Sequence, residues 1–194
     1  MKHYQLFKIT LQITFVIALI SLVSSCLSTN KEVPIESATA VNEAAIEDLG
    51  KETDAQFLVK AAEINLDEIR LGKLAQKVGS TKSVRDLGKM MEIEHTKSLA
   101  EVTELAKTKT VTIPTAPSFD DEDAYNKLNA KSSIDFDKAY IDMMVNGHQE
   151  AVVLFEKTCN ESKDIDVREW ATKMLPALKM HVEHAQAAQK EGSK

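Results

Sequence analysis

The sequence predicts an all-α protein whose main domain is a four-helix bundle. Apolar residues recur at alternating spacings of three and four along four segments, as they do in the seam of a helical bundle. Aromatic residues make up 5% of the 194 residues, and there are only six Gly and four Pro. This composition favours helices. Between the second and third helices we expect a long loop and a short helix.

The N-terminus has the layout of a bacterial lipoprotein signal peptide over residues 1–25. A short basic start and an almost wholly apolar stretch at 9–23 lead to Val23-Ser24-Ser25-Cys26. The apolar stretch is too short to span a bilayer comfortably, although an uncleaved anchor is the alternative. The last four residues resemble a lipobox, in which Cys26 becomes the lipidated N-terminus. We therefore expect an exported protein, held at a membrane by Cys26, in the outer membrane or at the periplasmic face.

Residues 26–52 are polar and rich in Ser, Thr, Glu and Ala, which predicts a flexible tether before a domain at 53–190. Loss of residues 1–25 removes two lysines from 24 basic residues, leaving 22 against 30 acidic residues. An acidic domain without a basic cluster argues against binding to nucleic acid. Once Cys26 is lipidated, Cys159 is the remaining cysteine and cannot form a disulfide within the chain.

The first two helices of the bundle are predicted at residues 54–78 and 82–107. Their apolar rows are each interrupted near the middle, by Glu68 in the first helix and by His95 in the second. Their N-termini are marked by residues whose side chains accept backbone N–H bonds. These are Thr53 with Gln56 as a capping box, and Ser80 or Thr81.

Residues 108–118 carry two prolines among threonines, which predicts a loop. A short helix is predicted at 120–131, with Ser118 and Asp121 as its capping box. A loop and a short helix are together long enough to cross the end of a bundle.

The last two helices are predicted at residues 133–160 and 165–190, with Asp164 as the cap of the second. Their apolar rows are interrupted by His148 and His181. Pro176 lies inside the last helix, about a turn before His181, and removes one backbone hydrogen bond there.

The four interruptions predict one polar layer inside the bundle. Titratable residues are seldom buried without partners, so residues at similar heights should meet. Counted from the first turn, the heights of Glu68 and His95 differ by roughly 6 Å at 1.5 Å per residue. The mismatch between His148 and His181 is slightly larger.

Three imidazoles and one carboxylate suit a single transition metal ion such as Zn, Fe or Cu. The predicted ligands are Glu68, His95, His148 and His181. We expect Glu94, Asp142 and His184 to lie behind these ligands and to orient the imidazole rings.

Two functions stay open at this point. One is a metal-binding bundle for sequestration or stress protection, with an oxidase conceivable if a coordination position is open. The other is a non-catalytic envelope module that holds an envelope protein or cell-wall polymer, with a polar layer that only sets the register of the helices. The chain has no phosphate loop, nucleophile elbow, Cys-x-x-Cys pair or HExxH motif. An enzyme is therefore the less favoured class.

A series of motifs also occurs in a fixed order along the chain. They are Glu68 to Ala75, Met91 to His95, Asp135 to Tyr140, His148 to Ala151, Phe155-Glu156, and Leu175-Pro176 to His181. Over residues 54–189 this order resembles the bacterial domain of unknown function 4142, which is often labelled a predicted outer-membrane protein. The resemblance implies a ferritin-like four-helix bundle outside the cytoplasm, with Glu or His at the four predicted ligand positions. Where that family commonly has Asp-His, this chain has Glu94-His95.

Overall fold

Six helices make up the computed structural model, which describes residues 32–45 and 49–192. Their bounds are α1 Ile35–Ala45, α2 Leu49–Val78, α3 Lys82–Thr108, α4 Phe119–Asn129, α5 Ser133–Glu161 and α6 Ile165–Gly192. The all-helical fold class is confirmed. The expected signal peptide and Cys26 lie outside the described residues. None of the helices within residues 32–45 and 49–192 combines the length and the hydropathy of a membrane-spanning segment.

The N-termini of three helices follow the predicted capping chemistry. Thr81 caps α3 by accepting a bond from the backbone N–H of Val84. Ser118 and Asp121 form the capping box of α4. Asp164 accepts a 3.1 Å bond from Val167 N at the start of α6. The prediction of a capping box at Thr53 is wrong, because α2 already begins at Leu49 and Thr53 lies inside it.

Part of the segment expected to be a flexible tether is helical. α1 buries Ala38 and Asn42. The Asn42 side chain donates to Thr112 O at 2.7 Å and accepts from Thr112 N at 2.9 Å. Two further bonds join Val33 and Thr115. The tether expectation therefore does not describe residues 35–45, which are held against the loop before α4.

The bundle consists of two helical hairpins, α2 with α3 and α5 with α6, which pack against each other. Buried apolar residues form two clusters. The Tyr140 cluster contains Leu71, Leu74, Ala75, Val84, Leu87, Met91, Leu128, Phe136, Tyr140, Ile141, Met144, Val145, Ala185 and Ala188. The Trp170 cluster contains Phe57, Leu58, Ala61, Ala62, Val102, Ala106, Ala151, Phe155, Val167, Trp170, Ala171 and Leu178.

The order in which each helix enters the two clusters gives its direction. α3 and α5 start in the Tyr140 cluster and end in the Trp170 cluster, whereas α2 and α6 run the other way. The end of α3 and the start of α5 therefore lie at opposite ends of the bundle. The connection that contains α4 therefore runs along the bundle instead of crossing one end.

Two contacts fix this arrangement at the Tyr140 end. Asp137, near the start of α5, accepts bonds from Ser80 N, Ser80 Oγ and Thr81 N at 2.7–2.9 Å. At the crossing of α2 and α3, an added Cβ on Gly88 would lie 2.7 Å from Gly72 O. Only glycine allows the two backbones to approach this closely.

Candidate metal centre

Three of the four predicted ligands meet in the layer between the two apolar clusters. His95 on α3, His148 on α5 and His181 on α6 are 1–3% exposed. Each ring offers one nitrogen, and these three nitrogens lie within 4.8 Å of one another. The histidine cluster, as we call these three residues, can therefore hold a metal ion.

The outer nitrogens of His95 and His148 are tied to oxygen atoms. Met144 O lies 2.9 Å from His148 Nδ1. Because a carbonyl oxygen can only accept, this nitrogen carries the proton. Asn65 Nδ2 donates to Ala61 O at 2.7 Å, which turns Asn65 Oδ1 towards His95 Nδ1 at 2.9 Å. His95 Nδ1 is therefore also the protonated nitrogen of its ring.

His181 follows the same rule with the opposite ring nitrogen. Its Nε2 donates to the carboxylate of Glu94 at 3.2 Å, so Nδ1 is left with its lone pair. All three rings thus turn their N–H groups outward and their unprotonated nitrogens inward. Outer hydrogen bonds of this kind fix the tautomer and orientation of metal-ligating histidines.

Two of the three spacings between the inward nitrogens match those between ligands of one ion, and the third pair, on His95 and His181, lies within 4.8 Å. His148 Nε2 lies 3.2 Å from His95 Nε2 and 3.2 Å from His181 Nδ1. A tetrahedral ion with metal–nitrogen distances near 2.0–2.1 Å holds its ligands about 3.3 Å apart. In these tautomers no proton lies between the nitrogens, so facing lone pairs repel each other. A cation between them would turn this repulsion into attraction.

Protonation is a poor alternative to a metal ion at this place. Burial, followed by the neighbouring His148 and His181, holds the pKa of His95 well below 6.5. Burial and then His181 lower the pKa of His148 to about 4. Burial also lowers the pKa of His181, although the bond to Glu94 opposes this. At neutral pH the three rings are therefore neutral, as metal binding requires.

The fourth predicted ligand, Glu68, lies on the outer side of His148. Its Oε1 is 3.7 Å from His148 Nδ1, the nitrogen that donates to Met144 O. Glu68 Oε2 and the hydroxyl oxygen of Tyr140 are buried without a hydrogen-bond partner among the described residues. Burial, and then the charge of Asp67, raises the pKa of Glu68 to about 8. Glu68 is thus a largely protonated neighbour of the site and does not join the converging nitrogens.

The three residues expected behind the ligands have different surroundings in the structure. Glu94 accepts from His181 as anticipated. Asp142 instead accepts from Gln189 Nε2 at 2.8 Å, on the side of the bundle formed by α5 and α6. His184 is exposed. The pKa of His181 is lowered mainly by burial, and the charge of His184 lowers it further.

Asn65 is the functional neighbour that the apolar pattern missed. It lies one turn before Glu68 on α2 and is 2% exposed. Asn65 lies about 13 residues before the end of α2 at Val78, and His95 lies about 14 residues after the cap of α3 at Thr81. Because α2 and α3 are antiparallel, these two positions are at similar heights along the bundle. The same count therefore places Asn65, and not Glu68, at the height of His95.

Comparison with known proteins identifies the family. Residues 38–188 match the family model described as domain of unknown function (DUF4142), and the chain belongs to this family. No curated protein and no solved structure matches the chain. The family assignment agrees with the motif order, and its description leaves the activity open.

Proposed function

We propose that this member of the DUF4142 family binds one transition metal ion through His95, His148 and His181. The observation that carries the proposal is the arrangement of the ring nitrogens: three outer nitrogens lie within hydrogen-bond distance of oxygens, and the other three converge. Neutral imidazoles favour Zn, Cu, Fe or Ni over Ca and Mg, which take oxygen ligands. Sequestration or stress protection in the cell envelope is the role we assign to this site.

Two features support the finer parts of the proposal. One long connection between two antiparallel hairpins is the topology of ferritin-like bundles, and α3 and α5 have that relation here. The signal-like N-terminus and Cys26 support export and lipid anchoring in the outer membrane or at the periplasmic face. In a Gram-negative host, Cys26→Ser should release the chain from the membrane fraction and remove the mass of the acyl chains. Unchanged mass and fractionation would rule out lipidation.

Metal content of the purified protein tests the site. The chain from residue 26, with Cys26→Ser and no His tag, keeps α1, which packs against the bundle. It should be stripped with chelator, offered Zn, Fe(II) or Cu(II), dialysed and measured by elemental analysis. We expect close to one ion per chain.

Histidine variants assign that ion to the cluster. His148→Ala combined with His181→Ala should remove the bound metal. His184→Ala is the matched control, because it deletes an exposed histidine three residues from His181 on the same helix. A chain that binds no metal, or a double variant that binds as much as the wild type, would overturn the proposal. The first outcome would favour the envelope interaction module with a structural polar layer.

A further inference from the structure

A cavity of about 210 Å³ lies beside two of the three histidines, between α3 and α6. His95, Ser98 and Glu101 border it from α3, and Met174, Ala177, Leu178 and His181 border it from α6. The cavity opens to solvent, whereas the histidines themselves are almost completely buried. Small molecules can therefore reach the level of the histidine cluster from this side.

The protein supplies three ligands and leaves one position of a tetrahedral ion open. Among the described residues, the converging set of His, Cys, Asp and Glu side chains contains only the three histidines. Glu68 approaches His148 from the outer side, and His148 does not border the cavity. The open position is therefore on the side of His95 and His181, where the cavity lies. A centre with three protein ligands and an open fourth position is the usual arrangement of reactive zinc sites.

The charge balance favours an anion at that position. Three neutral imidazoles leave the full charge of a divalent ion inside an apolar bundle, where charges interact more strongly than in water. Neither carboxylate of the cavity wall belongs to the converging set of ligand atoms. Glu94 accepts from the outer nitrogen of His181, and Glu101 accepts from Trp170 Nε1 at 3.2 Å and Lys173 Nζ at 2.8 Å.

The remaining wall of the cavity is mainly apolar. Ile64, Phe155 and Leu178 present apolar surface, and the Ser98 hydroxyl faces Met174 Sδ at 3.8 Å. Ala177 lies one turn before His181 on α6, so its small side chain keeps open the space next to the ligand nitrogen. Lys97 also borders the cavity, and its positive charge favours an anion over a neutral ligand.

We propose that the cavity between α3 and α6 admits a small monodentate anion, of the size of hydroxide or azide, to the open coordination position of the bound metal. This inference rests on the proposed metal binding. It gives the site a reactive position that a closed storage site would lack.

Azide binding to the cobalt(II)-loaded protein tests the inference, because the visible spectrum of cobalt reports a change of ligand. Cobalt content is measured first, before azide is added, so that a failure of metal binding is recognised separately. Azide should then change the spectrum saturably while the cobalt remains bound after dialysis. Ala177→Leu and Ser98→Leu each fill the cavity from one wall. Each should retain cobalt and bind azide about tenfold more weakly or worse.

Ala187→Leu is the matched control, because it makes the same change at an exposed alanine on α6. It should bind azide like the wild type. If the cobalt protein does not respond to azide, releases its cobalt to azide, or binds azide as tightly in both filled variants as in the wild type, the inference is overturned and the metal site stands. If one of the two filled variants fails to bind cobalt, the azide affinity of the other variant tests the inference. If the wild type binds no cobalt or other transition metal, the proposed function fails and this inference fails with it.

Discussion

Replacing Glu68 with Gln should change how the stability of the metal-free protein depends on pH. The Glu68 side chain is buried beside the histidine cluster, and burial raises its pKa to about 8 from an ordinary value of 4.5. Below pH 4.5 the folded and unfolded chains both hold the proton. Between pH 4.5 and 8 the unfolded chain releases it and the folded chain keeps it. Stability therefore falls as pH rises through this window and levels off above it.

The size of the effect follows from the difference between the two pKa values. Each pKa unit corresponds to 1.36 kcal/mol, so a rise from 4.5 to about 8 is worth about 5 kcal/mol. This figure is an upper bound, because relaxation and water entry reduce the penalty of ionising a buried carboxyl group. Glutamine has nearly the same shape and cannot ionise. The free energy of unfolding of wild type minus that of Glu68→Gln should therefore fall by several kcal/mol between pH 4.5 and 8.

Subtracting the free energy of unfolding of Glu68→Gln from that of the wild type removes the contribution of the histidines. The pKa of His148 is lowered to about 4, so its contribution is present above pH 6.5 and is lost as pH falls towards 4. This trend opposes that of Glu68 and is common to both chains. Urea unfolding in the presence of chelator, followed by the fluorescence of the single Trp170, measures both curves. Glu150→Gln, which makes the same change at an exposed position on α5, is the control.

A difference that stays constant from pH 5 to 8, or that rises, would refute this reasoning. It would mean that Glu68 is ionised in the folded protein, for example as the partner of a protonated His148 at 3.7 Å. His148 would then still donate from Nδ1 to Met144 O, but its inward Nε2 would also carry a proton and could not bind a metal ion.

Three further changes test the packing that positions the site, all by urea unfolding. Gly88→Ala would put a Cβ 2.7 Å from Gly72 O, so we expect a loss of about 1–3 kcal/mol, and an unchanged midpoint would contradict the close crossing. Leu58→Ala, at a fully buried position, should lower the free energy of unfolding by about 2–5 kcal/mol. Val153→Ala, at a position that is 67% exposed, should change it by less than about 0.5 kcal/mol. Asp137→Asn weakens three hydrogen bonds at the turn between α2 and α3 and should lower the free energy of unfolding. A loss below about 0.5 kcal/mol would show that these bonds stabilise the fold little more than hydrogen bonds to water do.

Local chemistry made much of the helical layout predictable from the sequence. The caps at Thr81, Ser118 and Asp164 depend on side chains within three residues of the N–H groups they bind, so a short window of sequence contains the whole signal. The histidine positions were predictable for a related reason, because each interrupts an apolar row with a fixed period. That pattern gives the face of a helix on which a residue lies.

The missed features depend on contacts that no short window contains. α1 has the Ser, Thr, Glu and Ala content of a linker, and Asn42 is bonded to Thr112, 70 residues away. The path of the connection between α3 and α5 depends on the direction of α5, and a connection of this length permits either direction. Glu68 occupies the right face of α2 but lies about one turn from the level of His95, where Asn65 takes its place. Position along the axis therefore decided which residue of α2 contacts the cluster.

The positions of the protons weigh against a polar layer that serves only to set the register of the helices. In such a layer each ring would donate to the next, since every buried N–H and every bare nitrogen needs a partner. Here the oxygens of Asn65, Met144 and Glu94 draw the donors outward. The inner nitrogens then face one another at 3.2 Å with no proton to share. Without an ion this arrangement is repulsive. With an ion at its centre the same contacts become ligand bonds, and the outer oxygens hold the rings in the orientation that the ion requires.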